Sequence, residues 1–407
     1  MKRALTTLLI ITLCSLAHAT IPPLLPMPQK SAFTGKYVKD DVPVNEKIVS
    51  HIDGAIFQDE AYHILISSKG VNIEATTQRG LYWARQTMAQ LKTDKKGKRL
   101  LPLCEITDWP AFRIRGYMHD IGRSYIPVDE LKAEIAMLSR FKINTFHLHL
   151  TENQAWRLES KKYPQLNAPA NMERSKGKYY TLAEARDLVE FCHQHHVLLI
   201  PEIDMPGHSA AFERTFGFGM QTAEGTRIMK DIIAEACDAL DVPYLHIGTD
   251  EVQFTNPRFV PEMVAFVRSK GKKVISWNPG WNYKKGEIDM TQLWSYRGKA
   301  QPGIPAIDCR FHYANPCSIG CRLADATRSS RCATAVRWYA RCGCLSTRVA
   351  LSHCRLSMHG CPYSPTFRHV AAGRFPNGCS CKFPDTDAPY TLSSSKSSVW
   401  RMPYCSP

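Results

Sequence analysis

Val197-Leu198-Leu199-Ile200-Pro201-Glu202-Ile203-Asp204-Met205-Pro206-Gly207-His208 begins as an apolar run and ends in two carboxylates, a Pro-Gly turn and a histidine. Residues 197–202 read as a buried strand, and the polar residues gather where it stops. Just upstream, Thr181-Leu182-Ala183-Glu184 is a capping box that opens a helix running to His195. Helix, strand and polar strand end form one unit of a parallel α/β sheet, and the pattern repeats in both directions. Strands are predicted at residues 113–120, 145–150, 244–248, 273–277, 291–295 and 307–313. Helices are predicted at 128–141, 226–240 and 263–269; in the first, Leu131, Ile135 and Leu138 recur at helical spacing. Seven β units in about 200 residues imply a (β/α)8 barrel of the TIM type, apparently incomplete at its C-terminal end, because such barrels typically need about 250 residues.

The barrel, assigned to residues 111–315, follows a small α+β domain at 20–110. In that domain a strand at 62–67, a turn at Lys69-Gly70, a strand at 71–75 and a helix at 78–91 are expected, with 92–99 a basic, solvated loop. Lys2 and Arg3, an apolar stretch from Ala4 to Leu16, and Ala17-His18-Ala19 have the form of a cleaved secretory signal over residues 1–19, predicting export to a periplasm or the extracellular space. Apart from it there is no apolar run of membrane-spanning length. Hydrophobic residues at 44%, with 8 Trp and 16 Tyr, can build a core, so disorder is not expected. The net charge of +15 is uneven: residues 309–407 carry +10 of it and 11 of the 15 cysteines, leaving +3 for residues 20–308. A nucleic-acid partner is therefore not expected of the folded body. Its three cysteines, Cys104, Cys192 and Cys237, are too few for a disulfide framework.

In a barrel of this kind the active site lies at the C-terminal ends of the strands. Those ends carry His119-Asp120 and Arg123; Glu152-Asn153-Gln154-Ala155-Trp156; Glu202 through His208; Thr249-Asp250-Glu251; Trp277; and Trp294. Gly248 stands where the fourth strand ends and frees the backbone to turn neighbouring side chains into a cleft. His147 and His149 alternate on one strand face, a pattern that binds zinc in some hydrolases. We read them as core residues and expect no metal and no cofactor, because a metal site would want further His or Cys on later strands. His147-Leu148-His149-Leu150-Thr151-Glu152-Asn153-Gln154-Ala155-Trp156-Arg157, Pro201 through His208, and His246-Ile247-Gly248-Thr249-Asp250-Glu251 resemble the β-N-acetylhexosaminidases of glycoside hydrolase family 20. The resemblance runs from about Pro22 to Asn315.

It implies an exo-acting enzyme that removes terminal β-linked N-acetylglucosamine or N-acetylgalactosamine from glycans or chitooligosaccharides with retention. Adjacent carboxylates on one strand end cannot straddle a glycosidic bond, so the substrate's own acetamido oxygen is the expected nucleophile. Glu251 is then the general acid and Asp250 the anion that orients the acetamide, with two close carboxylates pushing one pKa upward. The resemblance further implies that Arg123 grips sugar hydroxyls, that Trp277 and Trp294 wall a box around the acetamido methyl, and that Tyr313 bonds the acetamido oxygen. Glu152 stands where Asp is usual, Asn315 stands where many relatives have Asp, and His208 supports the acid. After Asn315 the resemblance stops. Residues 316–407 turn rich in Cys, Arg, Ser and Pro without periodicity, as reading a gene out of frame would produce. The competing reading is a Cys-rich module built on Cys342-Gly343-Cys344 and Cys379-Ser380-Cys381.

Overall fold

The computed structural model describes residues 24–95 and 97–310. The expected signal segment, Tyr313, Asn315 and the Cys-rich tail lie outside the described residues.

The first module is a sheet covered by one helix. Its strands are β1 (Lys30–Lys39), β2 (Val44–Ile48), β3 (Tyr62–Ser67), β4 (Gly70–Ala75), β5 (Thr93–Lys95) and β6 (Lys98–Asp108), in the order β1-β6-β3-β4-β2 with β5 paired to β6. All pairs are antiparallel except β2 with β4. Helix α1 (Gln78–Leu91) starts at Thr77, whose hydroxyl accepts the Gly80 N–H. It presses Leu81, Trp83, Ala84, Met88 and Leu91 onto Ile64, Ile66, Ile73 and Ile106. The stretch expected to be a basic loop is instead a hairpin: Thr93, Asp94 and Lys95 pair with Leu100, Arg99 and Lys98.

The second module is a curled parallel sheet with helices packed against it, an incomplete TIM barrel. It runs β7 (Gly116–Asp120), α2 (Val128–Arg140), β8 (Thr145–His149), a small hairpin of β9 (Thr151–Glu152) and β10 (Ala155–Trp156), α3 (Leu182–Gln194), β11 (Leu198–Glu202), α4 (Ala210–Phe216), α5 (Ala223–Ala239), β12 (Tyr244–His246), α6 (Phe259–Ser269), β13 (Lys273–Asn278), β14 (Met290–Leu293) and β15 (Ala306–Asp308). The strand order is β7-β8-β11-β12-β13-β14-β15, and every neighbouring pair is parallel. The capping box at Thr181 and Glu184 is formed. Alternation sorts the side chains: Phe146, Leu148, Leu199 and Leu245 join the helices in the main core. His147, His149, Glu202, His246 and Gln292 are completely buried.

Charged residues join the modules at the N-terminal ends of the barrel strands. Ahead of β8, Lys142 Nζ lies 2.7 Å from Asp108 Oδ2 and donates to the Tyr62 hydroxyl at 2.7 Å. Burial lowers the Lys142 pKa, and Asp108 opposes the shift. Arg115 pairs with Glu60, which also accepts from Asn144 Nδ2 at 2.8 Å. The four described cysteines, Cys104, Cys192, Cys237 and Cys309, are buried free thiols. No helix among the described residues is long and apolar enough to cross a membrane.

Candidate active site

Beyond β12 the backbone takes up left-handed conformations at Gly248 (φ +66°), Thr249 (φ +82°) and Glu251 (φ +49°). A Cβ on Gly248 would run into the Asp204 carboxyl, so only glycine lets this turn pass the end of β11. Gly207 does the same from the other side, where a Cβ would lie 2.5 Å from the Asp250 carbonyl oxygen. The two strand ends are thereby drawn together. Asp250 is 3% exposed, whereas the Glu251 side chain is 49% exposed. One carboxylate is sunk in the floor and its neighbour reaches outward.

Three of the remaining expected residues, Arg123, Glu152 and His208, form one chain of contacts with Glu251. The Arg123 guanidinium pairs with both Asp120 and Glu152. Glu152 Oε1 lies 2.9 Å from His208 Nδ1, and His208 Nε2 lies 3.4 Å from Glu251 Oε2 and 3.7 Å from Asp250 Oδ2. Burial alone would lower the His208 pKa, but the carboxylates of Asp250, Glu152 and Glu251 push it up to about 12. Burial would likewise raise Glu152, and His208 and Arg123 hold it below the usual carboxylate range.

Asp204, two residues past the end of β11, belongs to this site. It is completely buried, its N–H donates to Thr151 Oγ1 at 2.9 Å, and burial, Asp250 and Glu202 push its carboxyl well above the usual range. In the sequence, Glu202 and Asp204 two residues apart mark a cluster of acids but not the closeness of Asp204 to Asp250.

Trp277 and Trp294 come together in one cluster with Met118, Ile307 and Cys309. Trp277 is 4% exposed, and its indole N–H donates to Glu202 Oε1 at 2.6 Å. Trp294 is half-buried and donates to the Pro279 carbonyl at 2.8 Å. The histidines expected to be core are core: His147 Nε2 and His149 Nδ1 lie 2.8 and 2.6 Å from Glu202 Oε2. The expectation that later strands bring no further histidine needs correcting, since His246 Nδ1 on β12 reaches to 3.3 Å from Glu202 Oε1.

Among the described residues, His147, Glu202 and His246, or His149, Glu202 and Asp204, or Asp204, His208 and Asp250 have donor atoms close enough to hold a cation. In the first two sets the imidazole nitrogens are already at ion-pair distance from Glu202. In the third, a His208 held protonated presents N–H donors rather than lone pairs.

The family model for the catalytic domain of glycosyl hydrolase family 20 matches residues 112–222, and that for domain 2 of the same family matches residues 24–109. A β-hexosaminidase of Porphyromonas gingivalis is 34% identical over 244 residues, 51% of this chain and 31% of that protein. A β-N-acetylhexosaminidase of Cellulomonas fimi is 28% identical over 286 residues, 62% of this chain and 57% of that protein. The exo β-N-acetylglucosaminidase of Vibrio harveyi in complex with N-acetylglucosamine shares the fold, with a TM-score of 0.63 at 22% identity over 74% of this chain and 62% of that one. The chain spans less than two thirds of each of these relatives. The chain is thus similar to the β-N-acetylhexosaminidases of glycosyl hydrolase family 20, over domain 2 and part of the catalytic domain.

Proposed function

We propose that the site is that of an exo-acting β-N-acetylhexosaminidase, which hydrolyses terminal β-linked N-acetylglucosamine or N-acetylgalactosamine on glycans or chitooligosaccharides by a retaining, substrate-assisted route. The observation that carries this reading is the unequal placement of two adjacent carboxylates, Asp250 in the floor and Glu251 reaching outward. Neither stands across a sugar from the other, so the nucleophile comes from the substrate. The acetamido oxygen attacks the anomeric carbon as the glycosidic C–O bond breaks, and the leaving oxygen takes the proton of Glu251. Asp250 holds the amide N–H and balances the oxazolinium charge. Water then opens the ring and returns a proton to Glu251. Arg123 holds sugar hydroxyls, Trp277 and Trp294 enclose the acetamido methyl, and Glu152, through His208, orients the acid. Tyr313 bonds the acetamido oxygen in the same reading, and the mature chain is exported after cleavage near Ala19.

A second reading is an inactive, incomplete barrel that at most binds amino sugar. It draws support from the sheet, in which β7 and β15 stand at opposite ends with no pairing between them among the described residues. Kinetics of the 407-residue chain on aryl β-N-acetylglucosaminides separate the two. In an active chain, Glu251→Gln should cost about 10²–10⁴-fold on substrates with basic leaving groups and far less on those with good ones. Equal losses on both would remove Glu251 from the role of acid, and no turnover by the unchanged chain beside an active frame-restored version would favour the second reading.

A further inference from the structure

We propose that Glu202 is a positioning residue: from inside the barrel it anchors the indole of Trp277, and through that ring it sets which N-acyl group the site accepts. The inference rests on the reading of Trp277 as a wall of the acetamido box. Glu202 ends β11 and Trp277 lies on β13, with β12 between them, so the link crosses two strand spacings through the barrel interior. The indole N–H donates to Glu202 Oε1 at 2.6 Å, and both residues are buried. Two imidazoles pack on the ring, His246 with centroids 4.6 Å apart and His147 at 5.5 Å.

Glu202 in turn is fixed by three histidines, at 2.8 Å from His147, 2.6 Å from His149 and 3.3 Å from His246. Burial pushes its carboxyl up, but these imidazoles hold it well below the usual carboxylate range. The indole therefore meets an anion, and a charge-assisted hydrogen bond is shorter and roughly twice as strong as a neutral one. Glu202 is completely buried, so it acts on the N-acyl group through the ring it holds. A tryptophan has two side-chain torsions; the anchor at its N–H and the imidazoles on its ring remove both freedoms. Release of the anchor lets the ring pivot toward the half-buried Trp294 and changes the space left for the acyl chain.

The test combines a signal that needs no turnover with one that does. In the full chain carrying ¹⁵N-labelled indoles, Trp277→Phe assigns the Trp277 N–H resonance. That resonance should lie downfield of a free indole and exchange slowly with solvent. Glu202→Leu should move it to the free-indole position, whereas Glu202→Gln, which keeps an acceptor, should leave it slow to exchange. For turnover, the ratio of kcat/KM for N-acetyl over N-propionyl aryl glucosaminides should fall about tenfold in Glu202→Leu, and by no more than about threefold in Glu202→Gln. In a Trp277→Phe background, Glu202→Leu should change the ratio by less than about twofold. A Trp277 resonance with the shift and exchange of a solvent-exposed tryptophan overturns the proposal. So does a Glu202→Leu variant that loses both substrates alike with its ratio unchanged, which is the mark of mere destabilisation. Hydrolysis of neither substrate by this chain or by a frame-restored version refutes the glycosidase reading, while the indole signal still decides the anchor.

Discussion

Gly248→Ala should destabilise the protein by about 2–5 kcal/mol, much more than the same change at Gly217. Both glycines sit in the left-handed region, at φ +66° and +80°, and that conformation alone costs an alanine about 1–2 kcal/mol. They differ in what a methyl group meets. Around Gly217, at the C-terminus of α4, there is nothing within 4 Å, so strain is the whole effect. At Gly248 the new Cβ collides with the Asp204 carboxyl and lies 3.0 Å from its Cα, where overpacking of a buried site adds about 1–3 kcal/mol. Urea unfolding followed by tryptophan fluorescence, on the 407-residue chain and on a frame-restored version in parallel, supplies both values. An Asp204→Ala background should recover at least about 0.5 kcal/mol of the extra cost at Gly248, because residues in direct contact do not add independently. Equal destabilisation by Gly248→Ala and Gly217→Ala would refute the claim that this turn is shaped by its approach to Asp204.

The raised His208 pKa, from 6.5 to about 12, means that the folded state binds a proton the unfolded state releases, so this contribution is complete below pH 6.5 and is lost as pH climbs toward 12. Between pH 6 and 9 the wild type should lose at least about 1 kcal/mol more stability than His208→Gln, and parallel pH profiles would refute the assignment. Lys142→Met should cost about 3–5 kcal/mol by leaving the buried Asp108 carboxylate without its cation, with much of the loss recovered in Lys142→Met/Asp108→Leu; an unchanged urea midpoint for the single variant would refute it. For the out-of-frame reading of residues 316–407, the 407-residue chain should turn over aryl substrate at less than about a tenth of the rate of a frame-restored chain, and near-equal rates would show that the tail completes the site.

The barrel strands were legible because each is short, apolar and followed by polar residues, and β7, β8, β11, β12, β13, β14 and β15 fall where that pattern placed them, give or take a few residues. Helix α5 begins three residues earlier than expected: Thr222 accepts from the Gly225 N–H, but without Glu or Gln at the third helical position the start was hard to see. Strands β1 and β2 were missed for a different reason. Most of β1 and all of β2 are exposed, so neither carries the alternation that marks a half-buried strand. In β6, Pro102 interrupts a run whose Leu101, Cys104 and Ile106 are buried. Within the site, the chain of Arg123, Glu152, His208 and Glu251 was assembled from separate motifs. The carboxyl that ends up raised by its neighbours, Asp204, was not singled out, because its pairing with Asp250 depends on how closely two loops pass. That distance belongs to the fold rather than to any one motif.

The strand order β7-β8-β11-β12-β13-β14-β15 puts Asp250 and Glu251 at the end of its middle member, three ladders from either rim. Sheets open from their rims, and among the described residues β7 and β15 are each paired on one side, so amide exchange should quicken from β12 outward. Arg123 follows β7 at one rim, and Trp294 follows β14 next to the other. Partial melting would therefore loosen the groups proposed to hold the sugar while Asp250 and Glu251 kept their geometry. A protein caught in that state would retain the proposed proton donor and lose its aim.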